Sequence, residues 1–289
     1  MTALSRKFVV VATLDKALSQ ASRGYMLRVL GGVNPAIPPS ADLVIGSTKD
    51  AAYKLRYETR WKGSIALQDF SENSRGEAGI SEMKRLAEWV ILDELDTNAS
   101  SQVFRNKAAL ALENGFKVIM RLGEISNTNM EDNEVDLLNK IHLFKDFIKT
   151  YPNHIAIALE TSSSSAKEKS VLLKETRETL AKIRLWLRQN INQNTAEQIQ
   201  LLVSIPEKTE DLSAFAQLQD LDGLFARGIS SPFEVIKLVS ASKYWTKQLW
   251  KKYLSIKRST ALISNVRHKH FKSKVFTQCR CPKRYISML

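Results

Sequence analysis

Eight short apolar stretches recur through this chain, and a segment of helical periodicity follows most of them. The stretches are residues 7–12, 41–46, 63–68, 89–92, 117–122, 154–159, 200–204 and 223–226. Continuous apolar runs this short, bounded by turn residues, suit strands covered on both faces, the pattern of a parallel sheet. Between them, residues 50–60, 81–88, 101–114, 135–150, 170–190 and 212–219 carry apolar positions at a helical period. In 170–190, for example, Leu172, Leu173, Leu180, Ile183, Trp186 and Leu187 fall on roughly one face. Alternation of strand and helix requires crossover connections and hence a parallel sheet. Eight such units in about 235 residues match a closed (β/α)8 barrel in number and length. A doubly wound open sheet is the alternative, and the regularity of eight units favours closure.

Charge divides the chain differently. The whole carries 43 Lys and Arg against 30 Asp and Glu, a net +13. From Val235 to Leu289 there are fourteen Lys or Arg and no acid, so the preceding 234 residues carry a net −1. This separates a nearly neutral α/β body, 1–240, from a basic, partly helical C-terminal extension, 241–289. Such an extension meets nucleic acid, an anionic membrane or acidic protein. The stretch from Val235 to Ile256 places Ile236, Val239, Tyr244, Trp245, Leu249, Trp250, Tyr253 and Leu254 at near-helical spacing, as in a helix docked on its own domain or on a partner. The last part, 264–289, has no clear periodicity and is expected to be an arm that orders only on a partner. The cations available for RNA or another anionic partner are Lys243, Lys247, Lys251, Lys252, Lys257, Arg258, Arg267, Lys269, Lys272, Lys274, Arg280, Lys283 and Arg284.

The arm also holds His268, His270, Cys279 and Cys281. These residue types ligate zinc, but the one-residue gap within each pair is tighter than in finger patterns, so no metal is predicted. Both cysteines of the chain lie here, which excludes a disulfide framework for the body. No apolar run approaches the length of a membrane span. The opening MTALSRKFVVVATL reaches its first strand within a few residues, which is read as leaving no room for a long presequence or signal peptide; an internal import signal stays open.

One strand offers chemistry. The run 155–159 delivers Glu160 to its C-terminal end and opens into the Ser-rich stretch 161–169. In a (β/α)8 barrel that end is the mouth, where active sites are built, so Glu160 is a candidate catalytic base. Arg227, Lys167 and Lys169 are candidate anion ligands there, although solvated surface charge is the expected role for such residues.

Four segments carry a resemblance. They are Trp89-Val90-Ile91-Leu92; the run from Lys107 to Ile119 leading to Leu122-Gly123-Glu124; Ile183 to Leu187; and Leu221 to Phe225 with Ser230 to Ile236. In their order and spacing the chain resembles triosephosphate isomerase from about Arg6 to Ser240. The resemblance implies a TIM barrel. It also implies a chemistry that moves a proton between adjacent carbons of a small sugar phosphate, using a glutamate base, a neutral histidine, a lysine, a closing lid and backbone amides that hold phosphate.

The residues match that machinery at one position and depart from it elsewhere. Ala158-Leu159-Glu160 stands where the family has Ala-Tyr-Glu, so Glu160 occupies the base position. The histidine of a Gly-His-Ser-Glu-Arg pattern is replaced by Glu94, and Asp15 stands where Asn-Trp-Lys would supply the lysine. Two electrophiles have become anions, which oppose a developing enediolate. At about 1.36 kcal/mol per tenfold in rate, such losses erase several orders of magnitude. The lid's Pro-x-Trp-x-x-Gly-x-Gly-Lys corresponds to Thr161 through Lys169, which lacks Pro, Trp and Gly. The phosphate-holding Gly-Gly-Ser and Gly-Gly turns correspond to Leu202 through Pro206 and to Arg227-Gly228. Gln68-Asp69 and Asp96 stay close to family residues that support the site.

The expectation is therefore a catalytically inactive barrel, with Glu160 vestigial, serving as a structural or accessory subunit of a large assembly. The basic extension points to a ribonucleoprotein such as a mitochondrial ribosome. No cofactor is implied. The alternatives are an accessory subunit of a mitochondrial, respiratory-type membrane complex, whose partner is acidic protein or lipid, and an enzyme with altered chemistry at Glu160 and Glu94. Homodimerisation stays open, and a cytoplasmic location is the alternative compartment.

Overall fold

The apolar runs close on themselves. The computed structural model describes residues 8–15, 24–26, 28, 30, 41–68, 70, 77–93, 101–125, 130–161, 169–205 and 212–241. Its eight strands form one closed parallel barrel in sequence order. They are β1 Phe8–Leu14, β2 Ala41–Ser47, β3 Ser64–Leu67, β4 Trp89–Asp93, β5 Lys117–Ile125, β6 Ile155–Thr161, β7 Gln200–Ser204 and β8 Gly223–Ile229. Helices follow as α1 Lys49–Tyr57, α2 Glu77–Leu86, α3 Ser101–Glu113, α4 Met130–Leu143, α5 Lys145–Thr150, α6 Lys169–Asn190, α7 Gln193–Gln198, α8 Leu212–Ala216 and α9 Pro232–Ala241. The (β/α)8 barrel is the architecture found, and the open sheet is excluded. The described residues all lie within one unit, Met1–Trp245. The residues of the basic extension after Ala241, including the thirteen cations and the His-Cys set, lie outside the described residues.

Strand alternation builds two cores. Side chains at one parity, Val9, Val11, Val44, Ala66, Trp89, Ile91, Ile119, Ala156, Ala158, Leu202 and Phe225, fill the barrel interior. The other parity, such as Phe8, Val10, Ala12, Val90, Val118, Ile157 and Leu201, packs outward against buried helix residues that include Leu55, Phe104, Ile141, Leu180 and Leu187. Because side chains alternate with period two, the parity that fills the interior continues upward into Thr13, Asp93, Arg121, Glu160 and Arg227 at the C-terminal ends.

The predicted helix 135–150 is two helices. Leu137, Ile141, Phe144 and Ile148 form one buried stripe, which is why the pattern reads as continuous. Arg105 Nη1 donates to the Leu143 carbonyl at 2.7 Å, drawing it away from the helical ladder. The chain re-enters helix at Lys145, with Phe144 edge-on to Phe104.

A single buried arginine ties the N-terminal ends of β7 and β8 to the helix after β6. Arg184, 3% exposed, donates to the carbonyls of Ala196, Ile199 (2.9 Å) and Asp220 (3.1 Å) and to Asp222 Oδ2 (2.7 Å). Asp222 Oδ2 also accepts the Leu201 amide at 2.9 Å. Burial of this charge is tolerable because the planar guanidinium is satisfied by several acceptors at once.

Candidate functional site

Backbone irregularity shapes the barrel mouth. Between Arg121 and Glu124, β5 holds one residue more than the stretch of β6 from Ala158 to Glu160 that it pairs with. Between Ala226 and Ile229, β8 likewise holds one more than β1 from Ala12 to Leu14. These are bulges, and each includes a glycine in the left-handed region, Gly123 at φ 65° and Gly228 at φ 63°. Thr13 stitches the second: its Oγ1 donates to the Ala226 carbonyl at 3.3 Å and accepts the Gly228 amide at 3.2 Å. A bulge bends its strand, and these lie beside Arg121 on β5 and Arg227 on β8.

Both arginines converge on Glu160. Arg121 Nη2 donates to Glu160 Oε2 at 2.9 Å, and Arg227 Nη1 donates to Oε1 at 2.6 Å. Arg121 Nη1 also pairs with Asp93 Oδ2. The chain Asp93–Arg121–Glu160–Arg227 thus joins four strands. Arg121 is buried, its side chain 7% exposed, and its guanidinium lies 5.5 Å from the Phe225 ring centroid. Burial pushes its pKa down, the Glu160 charge pushes back up, and Arg227 adds a downward push. Arginine nonetheless stays a cation at physiological pH. Arg227, expected to be solvated charge, is half exposed and ion-paired.

Above this chain lies a cavity of about 300 Å³, lined by Thr13, Asp15, Gln68, Asp93, Arg121 and Arg227 over Leu14, Ile91 and Phe225. The two arginines that hold Glu160 both line this cavity. Gln68 Nε2 is buried with no hydrogen-bond partner. Asp15 lines the cavity at the end of β1, its amide donating to the Ile229 carbonyl at 3.0 Å. Among the described ionisable groups the mouth counts Asp15, Asp93 and Glu160 against Arg121 and Arg227, so acid exceeds base by one. No cluster of His, Cys, Asp and Glu able to hold a metal occurs among the described residues.

The start of α9 is already occupied by the protein itself. Ser231, Pro232 and Glu234 form a capping box with proline in the first helical position. Glu234 Oε2 accepts the amides of Ser230 (3.0 Å) and Ser231 (3.4 Å), and Oε1 accepts the Ser230 hydroxyl at 3.3 Å. The Phe233 amide donates to Ser231 Oγ at 3.2 Å.

The structure therefore brings Glu160 and Asp15 to the same mouth. Glu94, Asp69, Asp96, Lys167 and the lid segment 162–168 lie outside the described residues. Arg121 was not singled out from the sequence. Its signal was present all the same: a lone arginine inside the apolar strand Val118 to Leu122 must be paired if it is buried, and Asp93 and Glu160 were the carboxylates at matching strand ends. The Glu234 cap was likewise legible as Ser-x-x-Glu.

Comparison with known proteins places these features in context. The family model for triosephosphate isomerase matches residues 94–242. The triosephosphate isomerase of Neurospora crassa is 25% identical over 173 residues, covering 58% of this chain and 69% of that protein. The matched family segment contains Arg121, Glu160, Arg227 and Glu234, whereas β1 with Asp15 precedes it.

Proposed function

Taking as premise that the chain belongs to the triosephosphate isomerase family, we propose that it is a member without isomerase activity, serving as a structural or accessory subunit of a large ribonucleoprotein such as a mitochondrial ribosome. The observation that carries the first half is the double grip on Glu160. A carboxylate that abstracts a proton from carbon needs an oxygen within reach of that carbon. Here both oxygens are held by guanidinium groups at 2.9 and 2.6 Å, and both of those arginines line the cavity. Asp15 stands where the resemblance calls for a lysine, and the excess of acid among the described mouth residues opposes both a phosphorylated substrate and an enediolate. The amides opening α9, next to the Arg227-Gly228 turn, are taken by Glu234, so an anion arriving there meets a carboxylate.

The second half rests on charge. Fourteen cations without one acid from Val235 onward, behind a body of net −1, suit contact with phosphate backbones. Two measurements test the reading. The purified full chain is expected to interconvert triose phosphates no faster than background; activity that Glu160→Gln abolished would overturn the inactive assignment. RNA affinity is expected to fall with log salt at about −0.7 per phosphate contacted, and to weaken steeply when the thirteen extension cations are changed to Gln. Recovery of the endogenous protein in a detergent-extracted membrane complex free of RNA would favour the respiratory-type alternative instead.

A further inference from the structure

The described body carries a surface feature that the barrel does not use. Tyr53 and Tyr57 on α1 are 52% and 55% exposed, and their rings meet at a tilt, with centroids 4.6 Å apart and planes at 42°. Exposed aromatics one helical turn apart are neighbours on one helix face and together present apolar ring surface to solvent. The segment that holds them is locally basic within a nearly neutral body. Residues 49–62 contain Lys49, Lys54, Arg56, Arg60 and Lys62 against Asp50 and Glu58, a local net of +3. Lys49 pairs with Glu82, and Arg56 donates to the carbonyls of Leu86, Trp61 and Gly63 and to Glu88.

Arg60 has no such structural use. It is exposed and is the only non-glycine among the described residues with positive φ, 54°, in the turn that ends α1. Glycine would occupy that conformation without steric cost. A cation kept in a strained, exposed position two residues before Lys62 and three after Tyr57 points to a ligand for its charge. Exposed aromatic rings beside cations are the combination that holds single-stranded nucleic acid, in which bases stack and phosphates pair.

We propose that Tyr53, Tyr57, Arg60 and Lys62 form a second RNA contact, specific for single-stranded segments and separate from the basic extension. It rests on the ribonucleoprotein reading and extends it to the barrel. The tyrosines stack unpaired bases, and Arg60 and Lys62 take the neighbouring phosphates. Duplex RNA, whose bases present no free faces, does not engage the tyrosines.

The test uses the full chain with a labelled uridine-rich RNA of about 16 nucleotides and a duplex of the same length. Tyr53→Ala with Tyr57→Ala is expected to weaken single-strand binding about tenfold, leave duplex binding unchanged and leave the salt slope unaltered. Arg60→Gly with Lys62→Ala is expected to flatten the slope by about 1.4. Arg60→Gly alone is expected to raise the Tm while weakening binding, which separates a ligand role from a structural one. Unchanged single-strand affinity in these variants, while neutralising the extension abolishes binding, would overturn this contact and leave the extension reading standing. The converse result would remove the extension and keep the α1 contact. A parent chain that binds neither RNA would overturn both. Variants that bind RNA normally but leave the native assembly would make α1 a protein-facing surface, contrary to the proposal.

Discussion

Arg121→Met is expected to lower the stability of the barrel by about 3–5 kcal/mol, the range for removing one partner from a buried ion pair. The substitution keeps the bulk of the side chain but takes the guanidinium from between Asp93 and Glu160, whose side chains are 10% and 17% exposed. Arg227 still holds Glu160 Oε1, so the loss falls on Asp93 and on Oε2. Urea unfolding is the direct measurement: the midpoint should fall with little change in m. A companion variant that also carries Asp93→Asn and Glu160→Gln should recover much of the loss, because neutral amides cost less to bury than carboxylates that have lost a cation. A drop below about 1 kcal/mol for Arg121→Met would place the pair among exposed salt bridges, and the argument that Glu160 is locked would fail with it.

The second large effect lies at the opposite end of the barrel. Arg184→Met should cost at least as much, because it strips partners from the carbonyls of Ala196, Ile199 and Asp220 and from Asp222 together. Each buried acceptor left without its donor costs about 1–3 kcal/mol. Arg184→Lys should recover little. An ammonium is a point charge on a flexible stem and does not reproduce a planar fork that spans several acceptors. Both variants are read by denaturant midpoint against the parent. Near-parental stability in Arg184→Lys would mean that charge alone, without the fork, holds the β7–β8 end to α6.

How far the chain could be read in advance differs between fold and site. The strands were legible because they are short apolar runs covered on both faces: Val9, Val11 and Phe225 inside, Val10 and Leu224 outside. Their C-terminal ends were underestimated. Predicted ends at Ala12, Leu122 and Ala226 extend to Leu14, Ile125 and Ile229, since bulges at Gly123 and Gly228 keep the ladder going past residues that look like turns. The break at Phe144 was hidden because its cause, Arg105 on another helix, is remote in sequence.

What the sequence determined by itself was the number of strand-helix units, the division between a near-neutral body and a basic extension, and the chemical identity of the mouth residues. These follow from local pattern and composition, which need no knowledge of neighbours. Only the tertiary structure decided how Glu160 is used. Its partners lie 39 and 67 positions away, on β5 and β8, and they reach it because strand register brings all three side chains to the interior parity at the same end of the barrel. A shift of one residue in a strand turns its side chains to the opposite face, so this pairing exists only once the barrel has closed.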